Sequence, residues 1–364
     1  MISKTTVMAF KSLSALFSGF MSFGYIAIMN ISGIPDFEIA IILTIAIVVQ
    51  ALFYFMIIVT NVKRNLIIFS VLELAIGLIL LFFRNFYAFL GIAIIMGISN
   101  SIFSAIVVIQ KGFRRRDFSL LMGFTRGAAT VGLLLFYISG FTGLNDVIIF
   151  LLAILFLNLI ISITLKTKEP ETSLKDSYNF LKRNRVLLLV MSFSSSMRRT
   201  VIATLFPLIL LTIFSLTSPE RISLYYAIFS IPAVFFLYTG KKISGKQYLI
   251  LCIMEFLIFV VVAFFYGVSI IMILFLVLVI DVIGAIRSPT SETVVFSKLE
   301  YNSKFVSMFA LIGMFFTAII MLSIAFLIRY SQFLIIFMLA GIFTLIGNMV
   351  IYKLIPDVHY DLLR

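Results

Sequence analysis

The chain has 364 residues, 63% of them hydrophobic and only 12% charged, and its mean hydropathy is +1.22. A soluble domain of this size carries about twice that share of charge, and with about 20 apolar residues per membrane-spanning helix no room is left for a sizeable extramembrane or catalytic module. The formal net charge of +13 belongs to membrane topology, as its distribution shows below, and does not call for a nucleic-acid partner.

In chain order, the apolar runs predict twelve spanning helices. They cover Ser12–Ile31, Phe37–Val59, Leu66–Phe83, Phe86–Ile109, Phe118–Phe141, Val147–Leu165, Val186–Phe214, Ile222–Thr239, Tyr248–Tyr266, Val268–Phe296, Phe305–Ile328 and Phe333–Leu354. None alternates as a strand does, and all are too long for barrel strands, so helices are expected throughout. The first run follows Lys4 and Lys11 and lacks a small-x-small cleavage site, so it reads as a retained signal anchor. Trp is absent, which leaves Tyr to anchor the helices at the interfaces. The single cysteine, Cys252, lies in an apolar run and allows no intrachain disulfide.

Of the 28 Lys and Arg residues, 21 fall in every second connection or at the chain ends. They include Lys63 and Arg64, the Lys111 to Arg116 cluster, six residues between Lys166 and Arg185, and Lys241, Lys242 and Lys246. The opposite side receives only Arg84, Arg221 and Arg329. The positive-inside rule then places both termini in the cytoplasm of a multi-pass protein of the cell membrane. A missed or invented span would invert every later loop and destroy the asymmetry. The predicted units are an N-terminal six-helix bundle (1–165), a cytoplasmic linker (166–185) and a C-terminal six-helix bundle (186–364). In the linker, Leu174, Tyr178 and Leu181 make an apolar stripe among basic residues. It reads either as a short helix lying on the inner leaflet or as a plain tether.

The two halves echo each other. At a shift of 182 residues Arg64 falls on Lys246, Glu73 on Glu255, and Ile68, Ile76, Phe82 and Phe83 on identical residues. At a shift of 187 Gly97 meets Gly284, Ser101 meets Ser288, Ser104 meets Ser291 and Lys111 meets Lys298. Apolar matches mean little in lipid-facing helices; a glutamate at one depth of spans three and nine is more specific. Six-helix halves keep one orientation, so the repeat is parallel. With twelve spans, six plus six, and a central cytoplasmic connection, the chain resembles the major facilitator superfamily over its whole length. The family's loop after span two, Gly-x-x-x-Asp-Arg-x-Gly-Arg-Arg, is degenerate here: Thr60-Asn61-Val62-Lys63-Arg64-Asn65 keeps the basic end without the glycines or the acid. The matching segment Gly240-Lys241-Lys242-Ile243-Ser244-Gly245-Lys246 also lacks the acid. Gly123 to Ala129, at the start of span five, offers a small-residue face for close helix contact.

Ionisable side chains inside a bilayer are costly unless paired or hydrated, so each is a candidate. They are Glu73, Arg126, Arg198, Arg199, Glu255, Asp281, Arg287 and Glu292. The resemblance implies that spans one, four, seven and ten line a central cavity. That sets Arg198 and Arg199 on one wall and Asp281, Arg287 and Glu292 on another. Asp281 is expected to pair with Arg198 or Arg199, either as a pair that substrate competes for or as a fixed clip between halves. Arg126 is expected to snorkel to the inner surface. Glu73 and Glu255 either carry a coupling proton or accept hydrogen bonds from Arg64 and Lys246. Asn100 and Gln110, and Ser192, Ser194, Ser195 and Ser196, are candidate polar contacts, with back-bonding of the serines to their own helix as the alternative. Pro207, Pro232 and Pro289 are expected to bend spans seven, eight and ten.

The expected substrate-binding set is therefore Arg198, Arg199, Asp281, Arg287, Arg126 and Asn100, and the expected proton carriers are Asp281, Glu73 and Glu255. No Walker loop, His/Cys metal cluster or nucleophile motif occurs, so neither a cofactor, a metal nor an enzyme activity is expected. The leading expectation is a secondary transporter of a small organic solute, leaning to anionic or zwitterionic cargo because guanidinium groups suit carboxylate and phosphate. Membrane lipids surround it, and no obligate protein partner is evident. Transport of a lipid-like amphiphile, or a non-transporting scaffold or sensor, are the alternatives.

Overall fold

The computed structural model describes residues 4–60, 66–103, 115–165, 174–239, 243–298 and 303–354. Every regular element among them is helical. The helices are α1 (Lys4–Ile31), α2 (Asp36–Thr60), α3 (Leu66–Phe82), α4 (Phe86–Phe103), α5 (Arg115–Thr142) and α6 (Leu144–Thr164). They continue with α7a (Leu174–Arg198), a π-helical segment (Arg199–Thr204), α7b (Phe206–Ile213), α8 (Pro219–Thr239), α9 (Gly245–Phe265), α10 (Ile270–Lys298), α11 (Ser303–Arg329) and α12 (Phe333–Leu354). Nine helices among the described residues are long and apolar enough to cross a membrane, and Leu66–Phe82 and Phe86–Ile102 are apolar but shorter.

Local sequence sets the helix ends. Gly33, at φ 79°, ends α1 in the left-handed region that a side chain disfavours. Ile34 then donates its N–H back to Met29 O at 3.1 Å. Ser244 and Gln247 start α9 with a reciprocal capping box. Two expectations change. The separate surface helix drawn from Leu174, Tyr178 and Leu181 does not exist as such; these positions are the first turns of α7a, which runs unbroken to Arg198. Span seven is interrupted before Pro207, by the π-helical segment, and Pro207 then sits in the first turn of α7b, where its missing N–H costs nothing. Pro232 lies within α8. The family loop at 61–65, Gln110 with the repeat matches at 104–111, the linker's 166–173, Lys241 and Lys242 fall outside the described residues.

Packing follows one scheme twice. In the first half α1 lies on α5, α2 on α4, and α3 on both α4 and α6. In the second half α7a lies on α11, α8 on α10, and α9 on both α10 and α12. Adding six to each helix number converts one set into the other. Small residues permit the close approaches: a Cβ on Gly19 would strike the Ala129 backbone, and one on Gly132 would strike Leu16 O. The halves meet through α5 against α8 and α2 against α11, with α1 touching α7b.

The core is not uniform along the helices. At the end carrying the short α1–α2, α3–α4 and α5–α6 turns, one cluster unites both halves, including Phe20, Phe136, Phe206, Leu208, Phe259 and Phe337. At the end carrying the chain termini, two smaller clusters lie among the described buried residues. One is Val7, Phe10, Leu66, Phe69, Ile102 and Leu165, wholly in the first half; the other is Ile243, Tyr248 and Cys252, wholly in the second.

Candidate functional site

Three polar groupings lie within the helices. The first joins the halves. Arg126 on α5 donates from Nη2 to Asp281 Oδ2 on α10 at 2.5 Å. The arginine side chain is 39% exposed and the aspartate 13%, so the pair is not enclosed by protein. One turn along α5, Thr130 Oγ1 lies 2.9 Å from Ser230 Oγ on α8. Further toward the turn end, Ser223 donates to Leu133 O at 2.8 Å, and Thr212 on α7b donates to Asp36 Oδ2 on α2 at 2.8 Å.

The second grouping is in the second half and centres on Glu255, which is fully buried. Arg198 Nε donates to its Oε1 at 2.7 Å, and Arg287 Nη2 donates to its Oε2 at 2.9 Å. Asn348 Nδ2 adds a bond to Oε2 at 3.2 Å, and Asn348 Oδ1 accepts from Arg287 Nη1. Arg287 also donates to Tyr248 Oη at 3.3 Å, and Arg198 Nη2 to Ile280 O at 3.2 Å. Gly284 makes the arrangement possible: a Cβ there would fall 2.5 Å from Arg198 Nη2. The guanidinium crosses α10 through that gap.

The third grouping is in the first half and centres on Glu73, which is 5% exposed. Ser14 on α1 donates to Oε1 at 2.8 Å. Asn158 on α6 faces the same carboxyl. Yet Glu73 Oε2, both amide atoms of Asn158 and Ser70 Oγ, all buried, close no hydrogen bond.

These contacts correct several expectations. Asp281 pairs with Arg126, not with Arg198 or Arg199, and Arg126 therefore does not snorkel to the surface. Arg198 turns instead to Glu255, which is fully buried, and attraction there is screened far less than attraction to a partly exposed carboxylate. Arg287 is 7% exposed and faces Glu255, not open space. Glu255 takes its bonds from Arg198, Arg287 and Asn348 and not from Lys246; Arg64 lies outside the described residues. Arg199, next in sequence to Arg198, is exposed, as is Asn100, and no carboxylate among the described residues is within ion-pair reach of Arg199. Ser195 is back-bonded to Ser192 O at 3.1 Å, while Ser196 ties α7a to Gly313 O on α11 at 2.8 Å. Nothing is described of the Glu292 side chain.

Residue patterns alone missed the π-helical segment, which begins at Arg199 and is closed by Leu205 N–H to Thr200 O at 2.8 Å. Such widened turns concentrate at functional sites. Pro207 has no N–H to offer the preceding turn, and Tyr226 Oη approaches Ile202 O there at 3.5 Å. Tyr226 also stands near Arg126 and Asp281. Asn158 and Asn348 were missed too, although they sit 190 positions apart and each faces one of the paired glutamates.

No family model and no curated protein sequence matches the chain. Solved structures do. The human organic anion transporter MFSD10 (TETRAN) superposes with a TM-score of 0.67 at 13% identity, covering 96% of this chain and 98% of its own. The nucleoside transporter NupG superposes with a TM-score of 0.67 at 12% identity, covering 97% and 99%. This is the major facilitator fold. It extends over nearly the whole chain, and at such identities it is the fold alone that is shared.

Proposed function

We propose that this protein is a secondary transporter that carries a small organic solute across the cell membrane by alternating access. It is built as two like-oriented six-helix bundles, 1–165 and 186–364, joined by 166–185, with twelve spans and both termini in the cytoplasm. The observation that carries this reading is the divided core. One cluster holds the halves together at the turn end, and separate clusters serve each half at the terminal end. Two units held together at one end in this way have a second arrangement available, parted at the turn end. The turn end is the predicted outer face, so we read this arrangement as the one closed toward the outside.

The Arg126–Asp281 pair supplies the switch. It bridges the halves and is partly exposed, so a ligand can replace either partner at modest cost. A solute carboxylate or phosphate competes with Asp281 for Arg126, and the exposed Arg199 offers a second cation. The fold neighbours, an organic anion transporter and a nucleoside transporter, support cargo of this size and leave the anionic or zwitterionic lean to the arginines. Proton coupling fits Asp281, which a proton releases from Arg126. Glu255, locked between two guanidiniums, is the least suited of the three expected carriers.

The test is flux in proteoliposomes. Purified protein is first screened for thermal stabilisation by organic anions, zwitterions, cations and neutral solutes, and the hits are then assayed under an imposed pH gradient. Proton-driven uptake of an anionic or zwitterionic hit, lost in Asp281→Asn, is expected. Undiminished proton-driven flux in that variant removes Asp281 from the mechanism, and absence of flux for every hit refutes transport.

A further inference from the structure

We propose that Glu73, Asn158, Ser14 and Ser70 form a monovalent-cation site inside the first half, whose counterpart in the second half has been filled permanently by Arg198 and Arg287. This extends the transport reading with a site away from the bridging pair, and its test does not depend on flux.

The comparison of the halves carries the argument. Glu73 on α3 and Glu255 on α9 are equivalent at the 182-residue shift. The asparagines facing them, Asn158 on α6 and Asn348 on α12, are also equivalent, since α3 lies on α6 as α9 lies on α12. Each half thus builds a carboxyl–amide pair between its third and sixth helices. What differs is the source of positive charge. At the same shift the position of Arg198 is occupied by Leu16, and at the 187-residue shift the position of Arg287 is occupied by Asn100. Leu16 packs on the apolar core and Asn100 is exposed. The first half keeps the acceptors and lacks both guanidiniums.

A carboxylate buried among helices without a counter-charge costs several kcal/mol. Glu73 has one hydroxyl donor, from Ser14, and among the described residues no ion pair. The charged groups on the helices packed around it are few. The described part of α4 has none, α6 has only Asp146 at its far end, and α1 has Lys4 at its first position and Lys11 one turn before Ser14. Lys11 has interactions of its own. The missing charge is therefore assigned to a bound ion. The unsatisfied atoms are oxygens apart from one amide nitrogen: Glu73 Oε2, Asn158 Oδ1 and Ser70 Oγ, with Asn158 Nδ2. Oxygen donors of this kind take a proton, as a carboxylic O–H bonded to the amide oxygen, or a Na⁺ ion held among them. Both deliver one positive charge to the same atoms.

The experiment is infrared difference spectroscopy of the purified full-length protein, titrated through neutral pH in choline buffer and again with NaCl. The comparison set is wild type, Glu73→Gln, Asn158→Leu and Lys11→Gln. For a proton, wild type shows the carbonyl stretch of a protonated carboxylic acid, Glu73→Gln lacks it, and Na⁺ leaves it unchanged. For sodium, the band is bleached by Na⁺ with a rise in melting temperature, and neither response occurs in Glu73→Gln. Asn158→Leu keeps the carboxyl and displaces the titration midpoint by about one pH unit; it serves also if Glu73→Gln fails to fold. Glu73 ionised throughout, with no response to Na⁺, overturns the proposal. So does a protonated-acid band that appears only in Lys11→Gln, since Lys11 would then be the counter-charge. A titrating Glu73 in a protein whose flux ignores pH would preserve the site and refute proton coupling.

Discussion

Replacing Glu255 by Gln separates the two repeat-related glutamates energetically. The substitution keeps the shape of the side chain and removes one negative charge. Arg198 and Arg287 then remain at 2.7 and 2.9 Å from a neutral amide, and the neutral groups Tyr248, Asn348 and the Ile280 carbonyl beside them supply no compensating charge. Breaking a buried ion pair by removing one partner costs about 3–5 kcal/mol, and this carboxylate serves two cations, so the upper part of that range is expected. Glu73→Gln removes no ion pair and exchanges one hydrogen bond for another, so its cost is about 1 kcal/mol or less. The assay is unfolding of detergent-purified protein by heat and by denaturant, with both variants beside wild type. A triple substitution of Arg198, Glu255 and Arg287 by Leu, Leu and Met should recover most of the loss, because a packed apolar cluster replaces a buried ionic one at little or no cost. Equal destabilisation by Glu255→Gln and Glu73→Gln would refute the assignment of one site as ionic and the other as lacking a built-in counter-charge.

Two further outcomes follow from the same geometry. Arg199→Gln should weaken binding of an anionic hit from the thermal-shift screen by about 10- to 100-fold, the worth of one charge-assisted hydrogen bond, without lowering the melting temperature of the ligand-free protein; unchanged affinity removes Arg199 from the site. Gly284→Ala should destabilise by about 1–3 kcal/mol, because the new methyl group collides with the Arg198 guanidinium, and the penalty should shrink in an Arg198→Ala background, as a double-mutant cycle would measure.

Span positions were legible in the residue order because bilayer thickness and loop charge act on long runs, and small errors in a boundary do not matter. The Glu73–Glu255 equivalence was legible for a related reason: an ionisable group at one depth of two spans is too costly to recur by accident. Partner choice was not legible. Which helix an arginine reaches depends on the rotation of each helix about its axis, and two local features set that rotation and reach for span seven. Gly284 opens a path across α10 for Arg198, and the widened turn beginning at Arg199 changes the facing of everything after it. Asn158 and Asn348 carried a readable signal, since each lies on the sixth helix of its half, but an amide in an apolar run draws less notice than a charge, and their separation of 190 differs from the 182 and 187 of the other matches.

The measurement closest to the central claim is a cross-link across the turn end. Asp36 and Thr212, joined by a 2.8 Å hydrogen bond between α2 and α7b, are both changed to Cys in a Cys252→Ser background and bridged with a short bis-thiol reagent. If transport needs the halves to part at this end, the bridged protein still folds and binds its solute but carries none across a proteoliposome membrane, while the same variant left unbridged transports normally. Full flux through the bridged protein would contradict alternating access.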